Sequence, residues 1–161
     1  MQPETLRKGQ SFQVPGTIVT FLAVSADTGG SFSFFNARVA PQQGPPLHQH
    51  NDDEAFLVLE GTFQFQIEEQ HLQLGPGEFA FVPKKTPHTF LNMNAEKEGR
   101  LLIITLPAGY HEGFFAEVGE AKASASAPFS TDPPDIEKLV TVGKRYGIGI
   151  LLPASSEGLR A

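Results

Sequence analysis

Two histidines and a glutamate lie close together in GPPLHQHNDDEAFLVLEG, residues 44–61. His48 and His50 are two positions apart, so their side chains project to the same side of a β-strand, and Glu54 has the same parity. Imidazole and carboxylate groups that converge on one point are suited to a transition metal ion. The alternative is a polar rim with incidental histidines. This spacing alone leaves both interpretations open.

A further histidine occurs in GEFAFVPKKTPHTFLN, residues 77–92. His88 begins a strand-like run, and Phe90 and Asn92 share its face. A histidine that is buried among apolar neighbours needs a polar partner. A metal ion held by two other imidazoles and a carboxylate would supply that partner.

Short apolar runs broken by turns predict the strands that would position these residues. In one of them Phe63, Phe65 and Ile67 alternate with polar residues, which is typical of a half-buried strand. Many short strands at this spacing predict an all-β protein, an antiparallel sandwich or barrel. The predicted strands are 17–25, 31–40, 55–61, 62–69, 78–83, 88–94 and 100–106.

The chain changes character after residue 106. Residues 107–119 predict a short helix or an irregular lid, and the small, polar residues of 121–130 predict a mobile loop. Residues 131–147 predict a helix capped by Thr131 or Asp132. A strand is expected over 148–153. We expect a single domain over residues 1–161, with a barrel core at about 11–106 and an extension over 107–161.

Composition narrows the classes of function. The 161 residues carry a net charge of −6 and contain no basic cluster, so neither nucleic acid nor an anionic membrane is an expected partner. The absence of cysteine excludes disulfides and thiolate metal ligands. The N-terminal stretch lacks the apolar core of a signal peptide, and no stretch is apolar enough to span a bilayer, which together predict a cytoplasmic protein.

The two histidine-containing stretches together resemble the two motifs of the cupin superfamily. The first motif, G-x5-H-x-H-x3,4-E-x6-G, is matched by His48, His50, Glu54 and Gly61, with Gln42 in place of its opening glycine. The second motif, G-x5-P-x-G-x2-H-x3-N, has Lys85 in place of its internal glycine, a position where glycine would allow positive φ. It is matched by Gly77, Pro83, His88 and Asn92.

The resemblance implies a small antiparallel β-barrel of the jelly-roll or double-stranded β-helix type, with a short C-terminal helical segment. It also implies one divalent transition metal ion, Fe, Ni, Mn, Co, Cu or Zn, held by His48, His50, Glu54 and His88. Four ligands on an octahedral ion leave two positions open for catalysis. Glu54 is then expected to act both as a ligand and as the catalytic proton acceptor.

Within the superfamily the chain looks most like single-domain cupins related to quercetin 2,3-dioxygenase. This resemblance implies a metal-dependent dioxygenase that takes dioxygen and a small aromatic or enolic molecule as substrates. Two alternatives stay open: a cupin isomerase or epimerase acting on a sugar or keto acid, and a non-enzymatic cupin that binds a small molecule. The Phe-rich strands also predict a homodimer.

The remaining polar and aromatic candidates receive simpler interpretations. Asp52 and Asp53 are expected to face solvent, and His71 and His111 are expected on the surface. Phe56, Phe63, Phe65 and Phe90 are predicted core residues, and Phe90 can also wall a cavity. Phe114 and Phe115 are expected to cap the barrel or to pack between subunits.

Overall fold

The computed structural model describes residues 6–152 and forms twelve β-strands and three α-helices over that range. The strands are β1 (Ser11–Val14), β2 (Thr17–Ala23), β3 (Ser33–Val39), β4 (His48–His50), β5 (Asp53–Glu60), β6 (Phe63–Ile67), β7 (Gln70–Leu74), β8 (Phe79–Val82), β9 (His88–Asn92), β10 (Gly99–Leu106), β11 (Glu120–Lys122) and β12 (Ile148–Ile150). The helices are α1 (Ser25–Thr28), α2 (Tyr110–Val118) and α3 (Ile136–Arg145). Each of the seven predicted strands is present, and so is the predicted strand near residue 148.

The strands form two antiparallel sheets, which confirms the predicted all-β jelly roll. One sheet has the order β11-β1-β2-β3-β10-β5-β8, and the other has the order β12-β4-β9-β6-β7. Side chains from both sheets form one apolar core. Every second residue of β3 is buried, as expected for a strand with one face against the core.

Aromatic rings dominate one part of this core, as the sequence predicts. Phe56, Phe63, Phe65 and Phe90 are each less than 9% exposed, and each packs against at least two of the others at ring-centroid distances of 5.1–6.5 Å. Large rings bury much apolar area for little conformational entropy, so they stabilise this part of the fold efficiently. Phe79 and Phe81 differ, because they lie on the outer face of strand β8 and are 61% and 49% exposed.

The C-terminal helix begins later than the sequence predicted. Thr131 and Asp132 are not its cap; Asp135 is the N-cap, and its side chain accepts a hydrogen bond of 3.0 Å from the backbone N–H of Lys138. The physical reason is the pair Pro133-Pro134, because a residue that precedes proline is held out of the helical conformation. The helix therefore starts only after the second proline.

The segment predicted as a mobile loop, residues 121–130, makes several contacts with the barrel. Its first residues lie in β11, which pairs with β1. Further along, the Arg38 guanidinium donates hydrogen bonds to the carbonyl oxygens of Ala125 and Ala127, and it lies 4.9 Å from the centre of the Phe129 ring. Arg38, on strand β3 and far from this segment in the sequence, therefore holds its backbone against the barrel.

The two positions where a motif glycine is missing keep the backbone conformation that glycine favours. Gln42 has φ of 58° and Lys85 has φ of 63°, both in the left-handed region. The backbone N–H of Lys85 donates to the carbonyl oxygen of His50 at 2.6 Å. The substitution of glycine by lysine therefore preserves the turn that leads into His88.

Helix α2 is held against the large sheet by a buried carboxylate. Glu112 is 6% exposed and accepts hydrogen bonds from the backbone N–H of Ser25 at 2.7 Å, from the Ser25 hydroxyl at 3.0 Å and from the Ser33 hydroxyl. A buried carboxylate is tolerated only when such donors replace its hydration. These three bonds fix the depth and rotation of α2.

Two wider predictions stay predictions. These are the homodimer and the extent of a single domain over residues 1–161, part of which lies outside residues 6–152. Within the described range no helix has the length and apolar character needed to cross a lipid bilayer.

We expect Glu112→Ala to lower the free energy of unfolding by about 2–3 kcal/mol, because it leaves buried donors on Ser25 and Ser33 without an acceptor. Urea denaturation followed by circular dichroism measures this change. Glu137→Ala, at an exposed position of α3, is the matched control and is expected to change it by less than about 0.5 kcal/mol. Equal effects of the two substitutions would contradict the anchoring role of Glu112.

Candidate metal centre

The predicted ligands come from both sheets and meet inside the barrel. His48 and His50 lie on β4 and His88 lies on β9, both in the five-stranded sheet, whereas Glu54 lies on β5 in the seven-stranded sheet. His48 is paired with His88 across the antiparallel ladder. The chain crosses from one sheet to the other at Asn51-Asp52, so this short crossover brings Glu54 beside the imidazoles.

The four side chains present their donor atoms to one point. One ligand atom from each of the four residues lies within 4.8 Å of all the others. His50 Nε2 is 3.2 Å from His88 Nε2, and Glu54 Oε1 is 3.0 Å from His88 Nε2 and 3.4 Å from His50 Nε2. His50, Glu54 and His88 are at most 4% exposed. A buried group of three imidazoles and one carboxylate could hold a metal ion.

Backbone carbonyl groups fix the orientation of all three rings. The Nδ1 atom lies 2.9 Å from the Pro46 oxygen in His48, 2.9 Å from the Asp52 backbone oxygen in His50, and 2.7 Å from the Thr86 oxygen in His88. Each Nδ1–H donates to its carbonyl oxygen, which leaves Nε2 of the neutral ring as the free lone pair. Three lone pairs and a carboxylate oxygen therefore face one another.

The surroundings shift the pKa values of the two β4 histidines in opposite directions. Burial, reinforced by the neighbouring His88, lowers the pKa of His48 to about 3. Burial also opposes the charged form of His50, but the carboxylates of Asp52 and Glu54 outweigh it and raise the pKa of His50 to about 10. Burial of Glu54 is likewise outweighed by His50 and His88, which hold its pKa well below the usual value.

Two residues expected at the surface are in fact buried beside this group. The predictions for Asp52 and His111 were wrong: they are 0% and 4% exposed, and His111 Nδ1 lies 2.7 Å from Asp52 Oδ2. Burial of Asp52 is outweighed by His111 and His50, which lower its pKa to about 2. Asp53 is half-buried and accepts a hydrogen bond of 2.8 Å from the backbone N–H of Lys84.

The sequence contained a signal for one of these two residues and not for the other. Asp52 has the same parity as His48 and His50, so a continued strand pattern would have placed it with them. His111 is brought in by helix α2, and no local spacing connects it with the motifs. The exposed position predicted for His71, on β7, is confirmed.

A cavity of about 90 Å³, measured as the space open to the centre of a water molecule, adjoins the group. Phe90 lines it, as predicted, and Phe114 and Phe115 cap it from helix α2. Of the described residues that line the cavity, only Thr17, His48, Glu54 and His111 have polar side chains, and none is a lysine or an arginine. The apolar part of the wall includes Val19, Phe35, Ile103, Leu139 and Ile148.

Comparisons with known proteins agree with this architecture. Residues 35–105 match the family model described as a cupin domain. Over 91 residues the chain is 29% identical to quercetin 2,3-dioxygenase of Bacillus subtilis (strain 168). This alignment covers 55% of this chain and 27% of that enzyme. The chain thus spans about a quarter of the length of this curated relative.

Solved structures show the same fold at low identity. An RmlC-like cupin from Shewanella frigidimarina NCIMB 400 aligns with a TM-score of 0.56 and 18% identity, covering 62% of this chain and 85% of that one. KdgF from Halomonas sp. aligns with a TM-score of 0.56 and 18% identity, covering 64% and 91%. The matched segment, residues 35–105, contains both motifs and all four converging side chains, and it is similar in sequence and in fold to a cupin domain.

Proposed function

We propose that His48, His50, Glu54 and His88 bind one divalent transition metal ion. The support is the orientation of the rings: each Nδ1 is engaged by a carbonyl oxygen, so each neutral ring directs a lone pair at the others. Such an arrangement is unfavourable in an apolar interior unless a cation lies among the donors. In the metal-free protein a proton on His50 takes that place, consistent with its raised pKa.

The donor set fits a borderline transition ion better than Mg²⁺ or Ca²⁺, which prefer oxygen ligands throughout. Fe, Ni, Mn, Co, Cu and Zn all accept imidazole and carboxylate, so the residues do not select among these ions. When bound, such an ion would act as a Lewis acid and lower the pKa of a substrate hydroxyl. With only four protein ligands, it would also keep coordination positions free for the substrate.

We propose that the reaction is the oxygenation of a small aromatic or enolic substrate by dioxygen. The observation that carries this proposal is the wall of the cavity, whose polar side chains are Thr17 and the group of His48, Glu54 and His111, and which is otherwise apolar. A substrate with a flat apolar body and one acidic hydroxyl fits such a cavity, with the body against the apolar wall and the hydroxyl beside His48, Glu54 and His111. The partial identity to quercetin 2,3-dioxygenase supports the same class of reaction.

Glu54 is placed to move the proton of the substrate hydroxyl. Its Oε1 faces His50 and His88, whereas its Oε2 lies on the other side, 3.5 Å from His111 Nε2. One oxygen can therefore act as a ligand while the other accepts a proton. The rings of Phe35, Phe90 and Phe115 exclude water around the reacting atoms.

The cavity wall also bears on the two alternatives. A sugar needs many hydrogen-bonding partners and a keto acid needs a cation for its carboxylate, and the described lining residues offer few of the former and no lysine or arginine. An isomerase on such substrates is therefore the weaker proposal. A non-enzymatic binding protein would hold a small molecule in the same cavity without turnover.

We expect the purified protein, loaded in turn with Fe, Ni, Co or Mn, to consume dioxygen when a flavonol or another small enol is added. An oxygen electrode measures uptake, and mass spectrometry with ¹⁸O₂ follows the label into the product. His88→Ala removes one proposed ligand and is expected to lower uptake at least about 100-fold, whereas the exposed His71→Ala should leave it unchanged.

Product formation without dioxygen would contradict an oxygenase and favour an isomerase. Tight binding of an enol without any product, with every ion loaded, would favour the non-enzymatic alternative.

We expect metal affinity to rise with pH. The pKa of His50 is about 10 in the metal-free protein, so at pH 6–8 this ring carries a proton that the ion must displace. His48, with a pKa of about 3, contributes no proton in this range. Affinity should therefore rise by up to about tenfold per pH unit.

Calorimetric titration with Co²⁺ in buffers of different ionisation enthalpy measures the number of protons released. About one proton per ion is expected at pH 7. An affinity that stays constant from pH 6 to 8, with no proton released, would show that His50 is not displaced by the ion.

A further inference from the structure

The buried pair of His111 and Asp52 lies outside the four proposed ligands and has no part in either sequence motif. His111 Nδ1 is 2.7 Å from Asp52 Oδ2, and the opposite ring nitrogen, Nε2, is 3.5 Å from Glu54 Oε2. The His111 and His50 ring centres are 4.5 Å apart in an edge-to-face contact. One imidazole therefore touches both a proposed ligand carboxylate and a proposed ligand ring.

Asp52 connects His111 with the barrel. Its backbone oxygen and its Oδ1 both lie 2.9 Å from His50 Nδ1, while its Oδ2 receives His111. Since Asp52 is fully buried at the crossover between the two sheets, its carboxylate cannot turn toward water. A single residue thus orients two imidazoles, His50 through its backbone oxygen and His111 through its side chain.

Helix α2 delivers His111 to a fixed depth. The adjacent Glu112 is tied to Ser25 and Ser33, which anchors this turn of α2 to the seven-stranded sheet. At the next residue a Cβ on Gly113 would overlap the ring of Tyr146, so the close approach of α2 to Tyr146 depends on glycine there. The His111 ring is also packed against Phe35 and Phe115, at centroid distances of 6.3 and 5.7 Å.

The two oxygens of Glu54 consequently have different surroundings. Oε1 lies within 3.4 Å of two imidazole nitrogens of the barrel, and Oε2 lies 3.5 Å from Nε2 of the ring that α2 supplies. Without the His111 ring, Oε2 would lose its contact with helix α2, and imidazole nitrogens would hold the carboxylate at Oε1 alone. Partners of this kind around a ligand change metal affinity by about 10- to 100-fold in other proteins.

We propose that His111, oriented by Asp52, is a positioning residue that holds Glu54 as a one-oxygen ligand, so that helix α2 completes the metal site. The proposal rests on the proposed function, because it assigns a role toward the ion held by His48, His50, Glu54 and His88. His111 is not one of the four ligands in this account; its donor atom groups instead with those of His50 and Asp52, which also lie within 4.8 Å of one another.

The test compares Co²⁺ binding by the wild-type protein with binding by His111→Phe and Asp52→Asn. His111→Phe keeps a ring between Phe35 and Phe115 but loses the bond to Asp52, and Asp52→Asn keeps the shape but loses the charge. His71→Phe, at an exposed position of β7, is the matched control. Calorimetry gives the dissociation constant, and the visible Co²⁺ absorption reports the ligand geometry.

We expect both variants to bind Co²⁺ about 10- to 100-fold more weakly than wild type and to show a shifted absorption spectrum. The melting temperature of the metal-free protein, measured in parallel, identifies a variant that merely fails to fold; Asp52→Asn then serves in place of His111→Phe. His71→Phe should match wild type in both readouts.

Wild-type affinity together with an unchanged spectrum in folded variants would overturn the positioning role. Loss of binding as complete as in His88→Ala would overturn it differently, by showing that His111 is itself a ligand. If the wild-type protein binds no transition ion at all, the proposed function fails, and with it any role of His111 toward a metal.

Discussion

The candidate site is built on the convergence of three imidazoles and one carboxylate in an apolar interior. Each ring is locked by a carbonyl oxygen at Nδ1, so none can turn its Nε2 away from the others. Buried polar atoms without suitable partners cost several kcal/mol of folding free energy. Such an arrangement is stable only if a proton or a metal ion lies among the donor atoms. In the metal-free protein the raised pKa of His50 keeps a proton there.

The other elements of the fold position these four side chains and enclose the cavity beside them. The short crossover between β4 and β5 carries the chain from one sheet to the other, which lets two sheets contribute to one centre. Helix α2 then closes the barrel with Phe114 and Phe115 and brings His111 to the outer side of Glu54. The resulting cavity has its ionisable side chains, His48, Glu54 and His111, grouped together and is otherwise apolar apart from Thr17, so charge development would be confined to the atoms nearest the imidazoles.

The strands and the converging group were predictable because their signals are local. Alternation of apolar and polar residues identified strands such as β6, and the fixed offsets of the histidines carried the resemblance to the cupin superfamily. At Gln42 and Lys85, where the motif glycines are absent, the left-handed backbone was kept by the surrounding turn rather than by residue type. The sequence motif is therefore stricter than the structure requires.

What the sequence did not reveal depends on contacts between distant segments. Asp52 looked like one member of a solvated acidic run, yet His50 and His111 remove it from water. His111 looked like a surface residue because only the docking of α2 through Glu112 decides where it lies. The late start of α3 followed from two prolines in succession, which outweighed the capping preference of the residues before them.

The central claim, that the converging group binds an ion, is tested most directly by elemental analysis of the purified protein beside His88→Ala. The account predicts about one transition metal ion per chain in the wild-type protein, bound on purification or after loading. It predicts that His88→Ala remains folded and loses most of that ion. Full metal content in the variant, or a wild-type protein that takes up no transition ion, would contradict it.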